Sequence, residues 1–229
     1  MQRSALSLLF AFLFLSGEMV LSAQDRITTW FLSAPDSITP HFNREDRKRL
    51  IDQYTSSLGG HSVDPVRNIY GGSSAVLTLS DTRITVKIDD STLFEMKTLR
   101  APGRGKKLIV VIYTDCTTPA ISSFVFYDPS ESWKSIPPGD LVPLPEAIDF
   151  LSDPTFADDP EVKKALVERG LWTYSASFSD SEEDLILTPT TFTEKTALAL
   201  HPGIDSKLVP NLVYRWNKKA FKLRPNLSR

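Results

Sequence analysis

The stretch 74–113, SAVLTLSDTRITVKIDDSTLFEMKTLRAPGRGKKLIVVIY, decides the fold. Ala75-Val76-Leu77-Thr78-Leu79 and Arg83-Ile84-Thr85-Val86-Lys87-Ile88 carry apolar and β-branched residues at a period near two, and Ser80-Asp81-Thr82 between them is turn chemistry. Thr92 to Leu99 repeats the pattern. The turn residues Ala101-Pro102-Gly103-Arg104-Gly105 then lead into the most apolar strand of the chain, Leu108 to Tyr113. A parallel crossover needs about a dozen residues or more, and these links are shorter, so successive strands pair antiparallel.

Outward from this stretch, Ser122 to Tyr127 and Ser132 to Ile136 form a further hairpin around Asp128-Pro129-Ser130-Glu131. On the N-terminal side a helix is expected over Arg44 to Leu58. Asn43 is its N-cap, Glu45 and Asp46 complement its dipole, Gly59-Gly60 stops it, and Leu50, Ile51, Tyr54 and Leu58 form its core face. Before it, Thr28 to Ser33 is a short segment whose Trp30, Phe31 and Leu32 tie it to the core, ended by Ala34-Pro35-Asp36-Ser37. Prolines 137, 138, 143, 145, 154 and 160 punctuate the middle. A short helix is expected from Pro145 through Ile148, Phe150 and Leu151, and another from an Asp159 cap to Arg169. Strands resume at 172–178, 185–188, 196–200, 208–216 and 220–223. The fold class is therefore α+β, mostly antiparallel sheet with a few packed helices.

Two segments recur in order. Ser80-Asp81-Thr82, a strand and Thr92-Leu93-Phe94-Glu95 resemble Ser179-Asp180-Ser181, a strand and Thr191-Phe192-Thr193-Glu194. Phe124-Val125-Phe126 through Trp133-Lys134 resembles Leu212-Val213-Tyr214 through Phe221-Lys222 at the same spacing. This points to a duplicated helix-plus-meander unit, with chance likeness between apolar hairpins as the alternative. The expected division is 24–137 for the first unit, 138–158 for a proline-rich joint and 159–229 for the second, whether packed apart or as one domain.

Residues 1–23 read as an address. Arg3 supplies a positive charge, Ala5 to Gly17 is almost wholly apolar, and Leu21-Ser22-Ala23 suits cleavage before Gln24, so a soluble periplasmic or secreted product is expected. The apolar run is shorter than the roughly 20 residues of a spanning helix, and no transmembrane anchor is expected. The formal net charge of −2 argues against nucleic acid as partner, which needs a clustered basic excess. With one cysteine among 229 residues no intramolecular disulfide is available, and stability must come from packing.

Chemistry-bearing motifs are few. Cys116 could be a thiolate nucleophile only beside His41, His61 or His201, and a small buried apolar role is the expectation. No HExxH or CxxC pair supports a metal site, and no cofactor motif is present. The acidic run Asp180-Ser181-Glu182-Glu183-Asp184 lacks the spacing of a calcium loop and reads as a solvated turn. Asp89-Asp90 reads as a turn and Asp158-Asp159 as a helix cap, and paired glycosidase carboxylates cannot be singled out. Arg100, Arg104, Lys106 and Lys107 form the densest basic patch, with two glycines that could present amides to an anion. GRGKK is not a phosphate-binding Walker loop, and a charged hairpin turn is the plain alternative.

Phe31, Ala34-Pro35-Asp36-Ser37-Ile38, Pro40, the Arg-rich helix to Leu50-Ile51-Asp52, and Cys116-Thr117-Thr118-Pro119-Ala120 leading to Phe126-Tyr127 resemble an uncharacterised family. It is the exported domain-of-unknown-function type common in Bacteroidetes-type bacteria. The resemblance implies a Gram-negative envelope location and carries no catalytic residues. The expected function is a non-enzymatic module that binds an envelope protein, peptide or glycan. The alternative is an envelope hydrolase whose site is assembled from loop residues.

Overall fold

The computed structural model describes residues 26–59, 64–117, 119–150, 158–160, 173–179, 183–190 and 211–224. The leader (1–23), the expected helix beyond residue 160 and the expected strand 196–200 lie outside them. Seven strands follow one another as an antiparallel meander: β1 (Val66–Arg67), β2 (Ser73–Leu79), β3 (Arg83–Lys87), β4 (Thr92–Arg100), β5 (Lys107–Asp115), β6 (Ile121–Asp128) and β7 (Lys134–Ile136). The short links leave no other pairing, and β4 and β5 run in register from Thr92↔Asp115 to Arg100↔Lys107. A second antiparallel sheet has the order β11 (Phe221–Leu223), β10 (Leu212–Trp216), β9 (Asp184–Pro189), β8 (Tyr174–Phe178).

The period of two sorts β5 between two cores. Ile109 and Val111 join Phe94, Met96, Ile84, Val86 and Ile88 beneath the helices, whereas Leu108, Val110 and Ile112 join Phe124, Phe126 and the second sheet's Leu185, Leu187, Tyr214 and Phe221. β5 is thus apolar on both faces because both are covered, by helices on one side and by a sheet on the other, while β4 carries the buried Glu95 and Lys97 on the side of the second sheet. Two amides of edge strand β8 reach across: Ala176 N donates to Ser122 Oγ at 2.8 Å and Phe178 N to Glu95 Oε1 at 3.2 Å.

Thr28–Ser33 lies within a helix, α1 (Ile27–Ser33), whose Ile27 and Phe31 are buried. It starts at Arg26 without a side-chain cap, docked by Ile27 N on Asp81 O at 2.8 Å, so tertiary contact and not local sequence signals hold it. The second helix, α2 (Arg44–Leu58), has the expected bounds and cap, with Asp46 N donating to Asn43 Oδ1 at 2.9 Å. Its buried face differs from the expected one. Leu50 is buried, but Leu58 is 72% exposed at the free end of the helix. Arg47 is buried instead, bonded to Thr39 Oγ1 and paired with Asp36 at 3.3 Å. The expected helix from Pro145 is a single 3₁₀ turn, Ala147–Phe150. The strand expected from Ser132 begins only at Lys134, because Ser132 and Trp133 take left-handed φ values of 56° and 61°.

Candidate functional site

The β4–β5 connection puts a basic turn at the end of the first sheet. Ala101 N donates to Lys106 O at 3.0 Å and closes the loop. Gly103 and Gly105 have φ of 106° and 75°, a region that residues with a Cβ rarely enter, so the glycines let the turn reverse this tightly. Arg100 and Lys107 face each other across the last rung of the ladder.

A second turn, from β10 to β11, stands beside it. Asn217 Oδ1 accepts from Lys219 N at 3.0 Å and Ala220 N at 2.9 Å, an Asx turn that holds Lys218 at a φ of 75°. The Trp216 indole N–H donates to Arg100 O at 2.7 Å and ties the two turns together. Between them lies an open cleft of about 460 Å³ lined by Arg100, Lys106, Lys107 and Lys218, with Gly103 and Gly105 in its wall. Arg104 stands exposed on the same turn without lining the cleft. Three of the four basic residues singled out from the sequence therefore meet in the cleft. Lys218, more than a hundred positions away, is the one that local reading missed. The nearby Asp128 carboxyl is held below its usual range, chiefly by the Ser130 hydroxyl, with Lys106 adding to the effect. At neutral pH the arrangement is a concave cationic surface with one flanking carboxylate, suited to an anion larger than a single ion.

Cys116 does not fit the expectation of a small buried residue, because its thiol is exposed. It sits in the β5–β6 connection, past the end of the buried run of β5, with Sγ 3.8 Å from Thr114 O. No hydrogen bond joins it to His41 among the described residues. His41 instead lies between Tyr70 and Tyr113, with ring centroids 5.3 and 5.8 Å away, and burial lowers its pKa despite Asp89. His61 and His201 lie outside the described residues. Native protein should therefore react rapidly and stoichiometrically with a neutral-pH thiol reagent. Cys116→Ser should move stability by no more than about 0.5 kcal/mol, as for other surface changes. Slow labelling that requires denaturant would show the thiol is covered.

Asp184, read as part of a solvated turn, is buried at the start of β9. It pairs with Arg224 at 2.8 Å and Arg215 at 3.3 Å, so it is a structural anchor of the second sheet. Residues 180–182 lie outside the described set. Asp89 caps its own turn, accepting from Ser91 N at 2.8 Å, as its place in the sequence implied. Among the described residues no group of three His, Cys, Asp or Glu could hold a metal ion, and no helix is long and apolar enough to cross a membrane.

A family model, "Protein of unknown function (DUF3256)", matches residues 19–221. No curated protein matches the chain. A solved structure, of a domain of an uncharacterized protein from Porphyromonas gingivalis W83, is 20% identical with a TM-score of 0.61 over 86% of this chain and 97% of that one. Likeness at that identity concerns the fold, a sheet-dominated domain whose function is unassigned.

Proposed function

Because this chain belongs to the DUF3256 family, whose function is unknown, we propose a role from its surface: an exported, non-enzymatic binding module for an anionic envelope ligand. The observation that carries the reading is the convergence of Arg100, Lys106, Lys107 and Lys218 from two separate hairpins on one cleft. Like charges repel, and a fold that gathers four of them gains most from an anion that bridges them. The charged leader and apolar run of residues 1–23 support export to the periplasm or beyond.

The test measures binding of polyphosphate to the protein expressed with its own leader, by calorimetry at low and moderate salt. The parent should bind and weaken as salt rises. The pair Arg100→Glu and Lys218→Glu should lose affinity by about tenfold or more, because two attractive terms become repulsive. Binding that ignores both reversals, or no binding at low salt, would remove the cleft as the site. Sequence analysis of the N-terminus from the envelope fraction checks export, with Gln24 as the expected first residue.

A further inference from the structure

The register of the first sheet places Arg100 and Lys107 of the cleft on the face that bears α1, alongside an aromatic cluster at the same end of the sheet. Along β5, Lys107 and Ile109 share that face; Arg100 is the cross-strand partner of Lys107, and Tyr127 that of Ile109. Beyond Tyr127 the chain enters the Pro129–Glu131 turn and reaches Trp133. Trp133 packs edge-on against Tyr127 at 6.4 Å and against Trp30 of α1 at 6.2 Å. All three residues are partly buried at the margin of this core. Trp133 occupies its position at a φ of 61°, which a bulky residue seldom adopts, and Ser132 before it is left-handed as well. Strain of this kind persists where the surroundings dictate the side chain's place.

Cations beside partly buried aromatic residues make a composite surface. The cations suit carboxylate, sulfate or phosphate groups, and the rings suit the C–H faces of pyranose units. We propose that the ligand of this cleft is an acidic oligosaccharide, its charged groups on Arg100 and Lys107 and a sugar ring against Trp133 and Tyr127. The proposal rests on the anion-binding reading above and specifies its ligand class. Among the described acids, Asp128 lies beside Lys106 and offsets part of its charge, and Glu131 pairs with Lys134 at 3.3 Å.

The experiment compares two probes on the full chain: hexagalacturonate, which carries charge on sugar rings, and polyphosphate, which has charge and no ring. Trp133→Gly removes the ring while glycine accepts the positive φ, so the turn is retained, and Tyr127→Leu provides a second, independent variant. Circular dichroism verifies that both are folded. Each variant should weaken hexagalacturonate binding about tenfold, the scale of losing one aromatic anchor, and leave polyphosphate affinity unchanged. Polyphosphate binding without hexagalacturonate binding would overturn the saccharide assignment and leave the cationic cleft standing. Equal weakening of both probes would overturn it too, by showing that the rings act only through the fold. If neither probe binds the parent at low salt, the anion-binding reading itself fails.

Discussion

Phe221→Ala should lower the free energy of unfolding by about 3–5 kcal/mol, the range for truncating a buried phenylalanine in a packed core. Phe221 is 2% exposed and sits where three elements meet. Its ring lies 5.0 Å from Trp216, 5.9 Å from Phe126 of the first sheet and 6.3 Å from Phe178 of the second. Alanine removes a ring that packs on all three, and their backbones are pinned by sheet ladders, so the cavity closes poorly by relaxation. Leu223, two residues along the same strand, is 46% exposed and supplies the control: Leu223→Ala should change stability by less than about 0.5 kcal/mol. Urea melts measure both. A Phe221→Ala loss below about 1 kcal/mol would mean that the two sheets do not share this core.

The second large effect belongs to Glu95. Its carboxylate is buried between the sheets, accepting from Arg83 Nη2 at 2.9 Å and Phe178 N at 3.2 Å, with Lys97 on the same strand close enough to favour its charge. Burial raises its pKa above the ordinary glutamate value, and the attraction of Arg83 offsets this only in part. Its partners are buried with it, so Glu95→Leu leaves a guanidinium that is 16% exposed without this carboxylate and should cost about 3–5 kcal/mol. Converting the pair together, Arg83→Met with Glu95→Leu, should recover part of the loss, because the guanidinium goes with the carboxylate, while the Phe178 amide still loses this acceptor and Lys97 this counter-charge. A double variant as unstable as Glu95→Leu alone would contradict this account.

The same group predicts a pH dependence of definite sign. The folded protein holds the Glu95 proton more tightly than the unfolded chain does. The stability linked to this group is therefore fully present below the ordinary glutamate range and is lost as pH rises through its raised value. Glu95→Gln removes that component, so parent and variant melts across the acid range should differ in slope there.

The meander from β2 to β6 was legible because each strand announces itself by period two and each link is too short for a crossover. Helix α2 was legible from Asn43 and Gly59, but its facing was not. The apolar spacing favoured Leu58, whereas Leu58 is exposed in the last turn and Arg47 is buried beside Thr39 and Asp36. Helix α1 escaped because seven residues with no capping side chain carry no local signal. The left-handed Ser132 and Trp133 escaped because neither is a glycine or asparagine. At the candidate site, Arg100, Lys106 and Lys107 were visible as neighbours in sequence. Lys218 was not, since tertiary contacts such as the Trp216 bond to Arg100 O bring its turn alongside. The Asn217-Lys218-Lys219 turn was itself readable; which turn it would face was a tertiary fact.

The amides of Ala176 and Phe178 bear on how copies of this protein behave toward one another. A strand at the margin of a sheet normally offers a row of donors on which a foreign strand can build, the first step toward swapped dimers and fibrils. In β8 these two donors are already engaged by Ser122 Oγ and Glu95 Oε1, side chains that present no ladder for extension. At these two positions the margin is occupied, and a foreign strand can pair there only once the second sheet is pulled away from the first.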